Sequence, residues 1–440
     1  MLFVRKESAM GKRIIITGGG WAGCAAAAAA THLGAQTTLL ERTDMLLGTG
    51  LVGGIMQNNG RFTAQEECTA LGGGTLFQVI EKNLRHKAIH FPGHHHASLY
   101  DVSSTPSAVR RFLEENSVKI EYRARISSVE MRGNTIGSVS DDHGRTWEGD
   151  VFLDTTGTAG PMNNCTRYGT GCAMCVLRCP AFGGRVSLTA LTGIKEIQGR
   201  RADGSIGAMS GSCKLSKESL APQIIEQLDR EGCVVIPLPP ELMEDHLRIK
   251  ACQQYALGAF RQNLVLLDTG KAKLMAPYFN LQKLHCLHGF ENARYEDPYA
   301  GGKGNSIRFL AMAPRDNALQ VQGIENLFCA GEKAGLLVGH TEAIVTGTLA
   351  GYNAVCRAEG HKLLVLPRSL AVGEAIAFVR EQMRTPAGLA QKYTFSGSVL
   401  LEHLKQMNLY TTDIPMIRRR VQNAGLSGVF SSLPKKGTEK

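Results

Sequence analysis

The chain has 440 residues, 43% hydrophobic and 20% charged, with 49 Lys and Arg against 39 Asp and Glu and a formal net charge of +10. That length holds two or three domains with cores of their own, and the composition is ordinary for a soluble globular protein. No apolar run reaches membrane-spanning length, which excludes a spanning helix: Ala25 to Ala30 is short, small-sided and followed at once by Thr31 and His32. The N-terminal MLFVRKESAMGKR lacks an apolar core and a cleavage pattern, so no secretory signal is expected and the cytoplasm is the expected compartment. The positive charge is diffuse apart from Arg418-Arg419-Arg420 and Lys435-Lys436. These are expected to be a solvated face and a frayed terminus, with RNA or an acidic partner as the alternative.

Lys12 to Glu41 spells a strand (KRIIIT), a glycine turn, an alanine helix, a second strand (AQTTLL) and one acid. Gly18, Gly20 and Gly23 fit G-x-G-x-x-G, with Trp21 and Ala22 between the last two. Gly18 makes the tight turn, Gly20 lets backbone approach a pyrophosphate, and Gly23 lets helix and strand pack closely. The helix N-terminus aims free N–H groups at the phosphates, and Glu41 is placed to accept hydrogen bonds from ribose hydroxyls. Gly48-Thr49-Gly50-Leu51-Val52-Gly53 also fits the pattern but has no clean strand before it.

A helix is expected over TLFQVIEKNLRHKA, residues 75–88, then a turn at Pro92-Gly93. His94-His95-His96 follows. Neighbouring residues point in alternating directions, so a polar loop is expected rather than a metal site, with His95 a candidate for meeting substrate. Residues 107–116 are expected to form a helix, KIEYRARISSVEMRG one or two strands, and Asp141-Asp142-His143-Gly144 a hairpin leading to the strand VFLDTTG.

Twelve cysteines are many for a reducing compartment and point to metal or redox chemistry. Eight are scattered singly, and buried packing is expected to explain most of those. Cys165, Cys172, Cys175 and Cys179 are spaced C-x6-C-x2-C-x3-C, with Pro180 after the last. Ferredoxin-like runs use two-residue gaps and often close with C-x3-C-P, so a [4Fe–4S] cluster is the leading expectation. A thiol or disulfide pair of Cys172 and Cys175, structural zinc, and plain packing are the alternatives.

From about 185 the pattern changes to longer helical runs, SKESLAPQIIEQLDREG and ELMEDHLRIKACQQYALGAFRQN. This region is expected to be an inserted domain, ending near Tyr295 to Ser306. Lys303 or Arg308 there could hold a carboxylate or phosphate. A strand and glycine turn return at Asn326 to Glu332, and a helix with one small-residue face starts near Gly339-His340-Thr341. The strand pair with its return turn at Gly157, the turn at Gly331 and that helix point to FAD rather than NAD.

The segment GHTEAIVTGTLAGYNA, from Gly339 to Ala354, resembles the C-terminal flavin motif of the GidA-like flavoproteins, which include tRNA-uridine modification enzymes and folate-dependent tRNA uridine methyltransferases. GGGWAGCAAAAAATHLGAQTTLLERTDMLLGTG and DVFLDTTGTAG resemble the broader FAD-dependent oxidoreductases of the glutathione-reductase-like type. The resemblance covers the FAD domain, about half the chain. It implies that Gly18, Gly20, Trp21, Ala22, Gly23, Glu41, Arg42, Gly50, Ile126, Thr156, Gly157, Gly331, Glu332 and Thr346 line the cofactor. The cysteine run departs from the tRNA-modifying members.

The expected fold is α/β: a Rossmann-like FAD-binding domain, its parallel sheet discontinuous in sequence, with an inserted α+β domain and a helical C-terminal region. The expected boundaries are 1–184 and 306–362 for the FAD domain, 185–305 for the insert and 363–440 for the helical region. The expected activity passes hydride or electrons between a small organic substrate and the flavin, coupled to the cysteine centre or an external electron carrier. A flavin-dependent tRNA-uridine-modifying enzyme and an electron-transfer subunit of a larger complex are the alternatives. His95, Lys303, Cys172 and Cys175 are the candidate catalytic residues, and a homo-oligomer is the expected assembly.

Overall fold

A computed structural model describes residues 11–157, 181–201, 203–205, 208–209, 212–245, 247, 253–276, 279–296, 307–308 and 310–434. The chain opens with β1 (Arg13–Thr17), α1 (Trp21–His32) and β2 (Gln36–Leu40). After β3 (Ile55–Met56) come α2 (Gly60–Ala70), α3 (Thr75–Glu81) and the hairpin β4 (Leu84–Phe91) and β5 (His94–Tyr100). Next are α4 (Thr105–Glu115), β6 (Lys119–Glu121), the meander β7 (Ile126–Arg132), β8 (Thr135–Asp141) and β9 (Thr146–Glu148), and then β10 (Val151–Asp154).

The second half supplies β11 (Cys213–Leu215), α5 (Pro222–Glu231), β12 (Cys233–Pro237), β13 (Asn263–Asp268), β14 (Ala272–Leu274) and β15 (Leu327–Cys329). The long helix α6 (His340–Glu359) follows, and the C-terminal region includes α7 (Ala371–Gln382), α8 (Ser398–Gln406) and α9 (Ile414–Asn423).

β15, β10, β1, β2 and β6 form one parallel sheet in that order, with Ile14 opposite Val151 on one side and Thr37 on the other. Its central strands are continuous apolar runs buried on both faces, as a covered parallel sheet requires. The sheet is therefore built from residues some 300 positions apart, the Rossmann-like α/β arrangement expected. On one face α1 lies against α6 with backbones almost touching. A Cβ on Gly347 would stand 2.2 Å from the Ala22 carbonyl oxygen, and one on Gly351 would stand 2.4 Å from that of Ala26. The alanine run and the small-residue face of α6 are two halves of one contact.

A second sheet, β11-β14-β13-β12, is antiparallel throughout and has its own core of Leu215, Leu228, Leu264, Leu266 and Phe290. The β4–β5 hairpin packs on it: Phe91, Ala97 and Leu99 share a cluster with Tyr255, Val265 and Leu267. Residues from before 184 thus help build the second layer. The C-terminal helices join the main core, where Val372, Ile376, Leu400 and Val421 belong to the same cluster as Ile14.

Two helix expectations need correcting. The run 75–88 stops being helical at Glu81, because Asn83 closes it: its side-chain amide donates to the Val79 carbonyl, and its own carbonyl accepts the Asp101 N–H. The β5 ladder then takes the backbone groups of Leu84 onward. The run 241–263 holds only short turns at Pro240–Leu242, Gln253–Tyr255 and Gly258–Gln262 among its described residues, and Asn263 starts a strand of six residues.

The hairpin and the second sheet are joined by charge as well as by packing. The buried Asp268 carboxylate accepts from Arg85 Nε and His86 Nε2, each at 2.8 Å, and lies 3.2 Å from Lys217 Nζ. Burial opposes its ionisation, but His86, Arg85 and Lys217 outweigh that and hold it below the usual aspartate range. The stability this contributes is present above the unfolded aspartate value of about 3.9 and is lost as pH falls below it. Asp268→Asn is expected to cost about 2–3 kcal/mol at pH 7, discounted because Arg85 is partly exposed. In urea titrations the gap to wild type should close below pH 4; a gap that persists there would contradict this account.

Candidate active site

One cleft, a cavity of about 250 Å³, opens at the C-terminal ends of the parallel strands. Thr17 ends β1 and Gly18 follows it, Glu41 and Arg42 follow β2, Thr155 to Gly157 follow β10, and Ala330 to Glu332 follow β15. Ligands bind at this edge of an open α/β sheet.

The three glycines of the turn are required for different reasons. Gly18 has φ +106°, and a Cβ there would meet the Thr155 carbonyl oxygen at 2.5 Å. A Cβ on Gly23 would lie 1.9 Å from the Gly18 carbonyl oxygen, so helix and turn pack only without one. Gly20 lines the cleft, and its Cβ would meet nothing within 4 Å. Nothing in the protein demands glycine at that position. The open space in front of it is what a phosphate would fill.

Glu41 is buried and holds the turn in place. One carboxylate oxygen accepts the Gly19 N–H at 2.7 Å, and the other accepts the Thr43 N–H at 2.8 Å. The second glycine pattern, residues 48–53, forms a short turn that lines the same cleft and is tied to the first by the Leu47 N–H on the Gly19 carbonyl at 2.7 Å. Two lysines paired across β11 and β14 reach this loop from the second sheet. Lys214 Nζ donates to the Leu51 carbonyl at 2.8 Å, and Lys273 Nζ donates to that of Val52 at 2.6 Å. Lys273, Met275 and Tyr255 bring the second sheet into the cleft wall beside Arg61 and His340.

Residues 13–162 match the family model described as FAD dependent oxidoreductase, and residues 272–362 match the one described as Glucose inhibited division protein A. The chain is an FAD-dependent oxidoreductase with GidA-like features. The flavoprotein also superposes on two crystal forms of Aquifex aeolicus GidA with TM-scores of 0.62 and 0.61, at 14% identity. Each match covers 94% of this chain, and the matched shares of the GidA chain are 77% and 78%. At that identity the likeness speaks for the fold.

Ten of the residues expected to meet the flavin line the cleft: Gly18, Gly20, Trp21, Ala22, Glu41, Arg42, Thr156, Gly157, Gly331 and Glu332. Four stand behind its wall. Gly23 packs the helix on the turn. Gly50 lies behind Trp21, whose Nε1 a Cβ would meet at 2.5 Å. Ile126 is fully buried in β7, and Ala124, two residues earlier, is the one that lines the cleft. The Thr346 hydroxyl accepts the Gly331 N–H at 2.9 Å and donates to the Glu342 carbonyl at 2.8 Å, so it shapes the turn without facing the cavity. His95 is exposed on the hairpin, with Nδ1 3.2 Å from that of His90, away from the cleft.

Lys303 and the cysteines Cys165, Cys172, Cys175 and Cys179 lie outside the described residues. Among the described residues no three His, Cys, Asp or Glu side chains gather as metal ligands. Burial pushes the Cys68 and Cys233 thiols up to about 12, and those of Cys24 and Cys329 higher still, so these four are inert packing groups. Sequence reasoning missed Arg61, Tyr255, Lys273 and the His340 ring. Of these only His340 stood in a quoted motif, where it marked a helix start.

Glu41, expected at the ribose hydroxyls, lines the cleft at the end of β2. Glu41→Ala is expected to weaken FAD binding by about 10- to 100-fold, the loss of one or two charged hydrogen bonds. Fluorescence titration of the apoprotein measures it, and unchanged affinity would exclude the ribose role.

Proposed function

We propose that this flavoprotein oxidises or reduces a small organic substrate held where the second sheet meets the flavin cleft. The observation that carries this is the composite wall: Tyr255, Lys273 and Met275 extend the cleft beyond what the dinucleotide turn needs. The fit to FAD rests on Gly20, whose missing side chain leaves a cradle, and on Glu41 at the ribose position. When bound, FAD supplies the hydride-accepting and hydride-donating centre. Gly18 to Ala22 and Gly331 would hold its phosphates through their backbone, and Thr346 fixes Gly331. Lys273 and Lys214 hold the 48–53 loop against the second sheet. Tyr255 and Met275 exclude water from that end of the cleft.

The four clustered cysteines are the proposed onward redox centre, a [4Fe–4S] cluster or a thiol pair, supported by their C-x6-C-x2-C-x3-C-P spacing. An anaerobic visible spectrum with iron, sulfide and zinc content on freshly purified protein tests both parts. A brown protein that bleaches on reduction supports the cluster. Flavin absorbance alone, without iron, rules the cluster out, and absence of flavin rules out the cleft assignment.

A second reading is flavin-dependent modification of a tRNA uridine, favoured by the match of residues 272–362 to the GidA model. Salt-sensitive binding of tRNA would support it, and tRNA affinity no greater than that for a random RNA would exclude it.

A further inference from the structure

The hydrogen bonds around Tyr100 fix a proton on its neighbour. Tyr100 is fully buried, and its hydroxyl lies 2.7 Å from the Gly50 carbonyl oxygen. A carbonyl oxygen only accepts, so the single phenolic proton points there. Two further groups approach the same phenolic oxygen, Trp21 Nε1 at 3.4 Å and His340 Nδ1 at 3.3 Å. With its proton committed, that oxygen can only accept from both. The indole N–H is always a donor, and His340 must carry its proton on Nδ1. The basic nitrogen of the neutral ring is then Nε2. Burial pushes the Tyr100 phenol up to about 12, so it stays a neutral relay point.

The ring is held from other directions too. A Cβ on Gly53 would stand 1.6 Å from His340 Cε1, so the loop admits the imidazole only because residue 53 is glycine. The Trp21 ring packs 6.3 Å away, centroid to centroid. His340 is the first residue of α6 and lines the cleft beside Gly339 and Ala343. The positive end of the helix dipole disfavours an imidazolium there. Among the described residues, the charged groups lining the cleft with it are Glu41, Arg42, Arg61 with its partner Glu342, Arg185, Lys273 and Glu332. Glu41 is engaged by the Gly19 and Thr43 N–H groups, Arg61 by Glu342 and Lys273 by the Val52 carbonyl.

We propose that His340 is the proton-transfer group of the substrate site: Nε2 takes the proton from an alcohol or amine substrate as the adjacent C–H bond gives its hydride to the flavin. The O–H or N–H bond breaks and an Nε2–H bond forms. The substrate loses two electrons, which the flavin gains, and in the reverse direction Nε2–H protonates a carbonyl or imine substrate. This rests on the cleft being the flavin and substrate site.

The test uses flavin-loaded protein labelled with ¹⁵N at histidine, with His340 assigned in long-range ¹H–¹⁵N spectra against His340→Gln. The expected result is the Nδ1–H tautomer at neutral pH, with Nε2 protonating as pH falls. Tyr100→Phe, which removes the acceptor, should shift the ring toward the Nε2–H tautomer while flavin content holds. A wild-type ring in the Nε2–H form, or an imidazolium at pH 7, overturns the proposal. A second reading comes from spectroelectrochemistry. Between its pKa in the oxidised and its higher pKa in the reduced enzyme, His340 should add one proton per two electrons to flavin reduction, steepening the midpoint potential by about 30 mV per pH unit relative to His340→Gln. Equal slopes overturn the proposal. Protein that holds no flavin in either form overturns the reading of the cleft instead, so the two failures are separable.

Discussion

Gly23→Ala is expected to strip the protein of flavin and to destabilise it by about 3 kcal/mol, while Gly20→Ala leaves the fold intact and weakens only the cofactor. The two positions sit three residues apart in one motif. At Gly23 the new methyl group would meet a backbone oxygen at 1.9 Å, and neither the turn nor α1 can give way without disturbing β1. Overpacking against backbone costs about 1–3 kcal/mol, and this contact stands at the upper end. At Gly20 the backbone has φ −70° and ψ −178°, which alanine adopts freely, and the methyl group meets no protein atom. The unfolded chain loses some freedom, so Gly20→Ala should match wild type or gain up to about 1 kcal/mol. Its methyl group stands where phosphate would approach, and FAD affinity should fall at least tenfold, about 1.4 kcal/mol. Urea unfolding of the apoproteins and flavin-to-protein ratios separate the two effects. Equal stability losses would refute the assignment of different roles.

Glu342→Ala should be among the most damaging single changes in the protein, at about 3–5 kcal/mol. Arg61 and Glu342 are both buried and meet at 3.1 Å through Arg61 Nε, and burial is outweighed by Glu342, which holds the guanidinium firmly charged. Glu342 also accepts the Thr394 hydroxyl at 2.7 Å and the Phe395 N–H at 2.9 Å, tying α6 to the C-terminal region. Removing the carboxylate leaves a buried cation and the unpaired Phe395 N–H behind the cleft wall, while the Thr394 hydroxyl keeps Ser396 Oγ at 2.9 Å. The double variant Arg61→Met with Glu342→Leu should recover much of the loss, because it removes both charges and keeps the volume. A double variant no more stable than Glu342→Ala would show that the other hydrogen bonds, not the charge, carry the effect.

These pairings mark the limit of what the sequence discloses. The unit from Lys12 to Glu41 was legible because its parts are consecutive: a strand run, turn glycines with distinct steric duties, and an acid at the next strand end. The turns at Gly157 and Gly331 were legible for the same local reason. Arg61 was not, since its partner lies 281 residues away and nothing around it repeats or alternates. Lys214 and Lys273 become a pair only through the register of the second sheet. Residues 75–88 carry a helical pattern at both ends, and the choice of strand after Glu81 is made by a hairpin partner that local propensity does not sense. Ile126 and Ala124 illustrate the same limit on a smaller scale: the strand was recognised, but which residue faces the cleft depends on where the sheet begins.

The contact of Gly347 and Gly351 on the backbone of α1 has a bearing on how the protein is made. Chains emerge from the ribosome N-terminus first, at about 5–20 residues per second. The turn at Gly18 and its helix are available early, yet the wall from Ala330 to Ala343 and the helix that covers α1 follow some 300 residues later. Until then the nascent chain exposes an alanine-lined helix and half a cradle. Flavin capture therefore belongs to the last stage of biosynthesis, and a chain that stalls before residue 330 has no complete site in which to hold it.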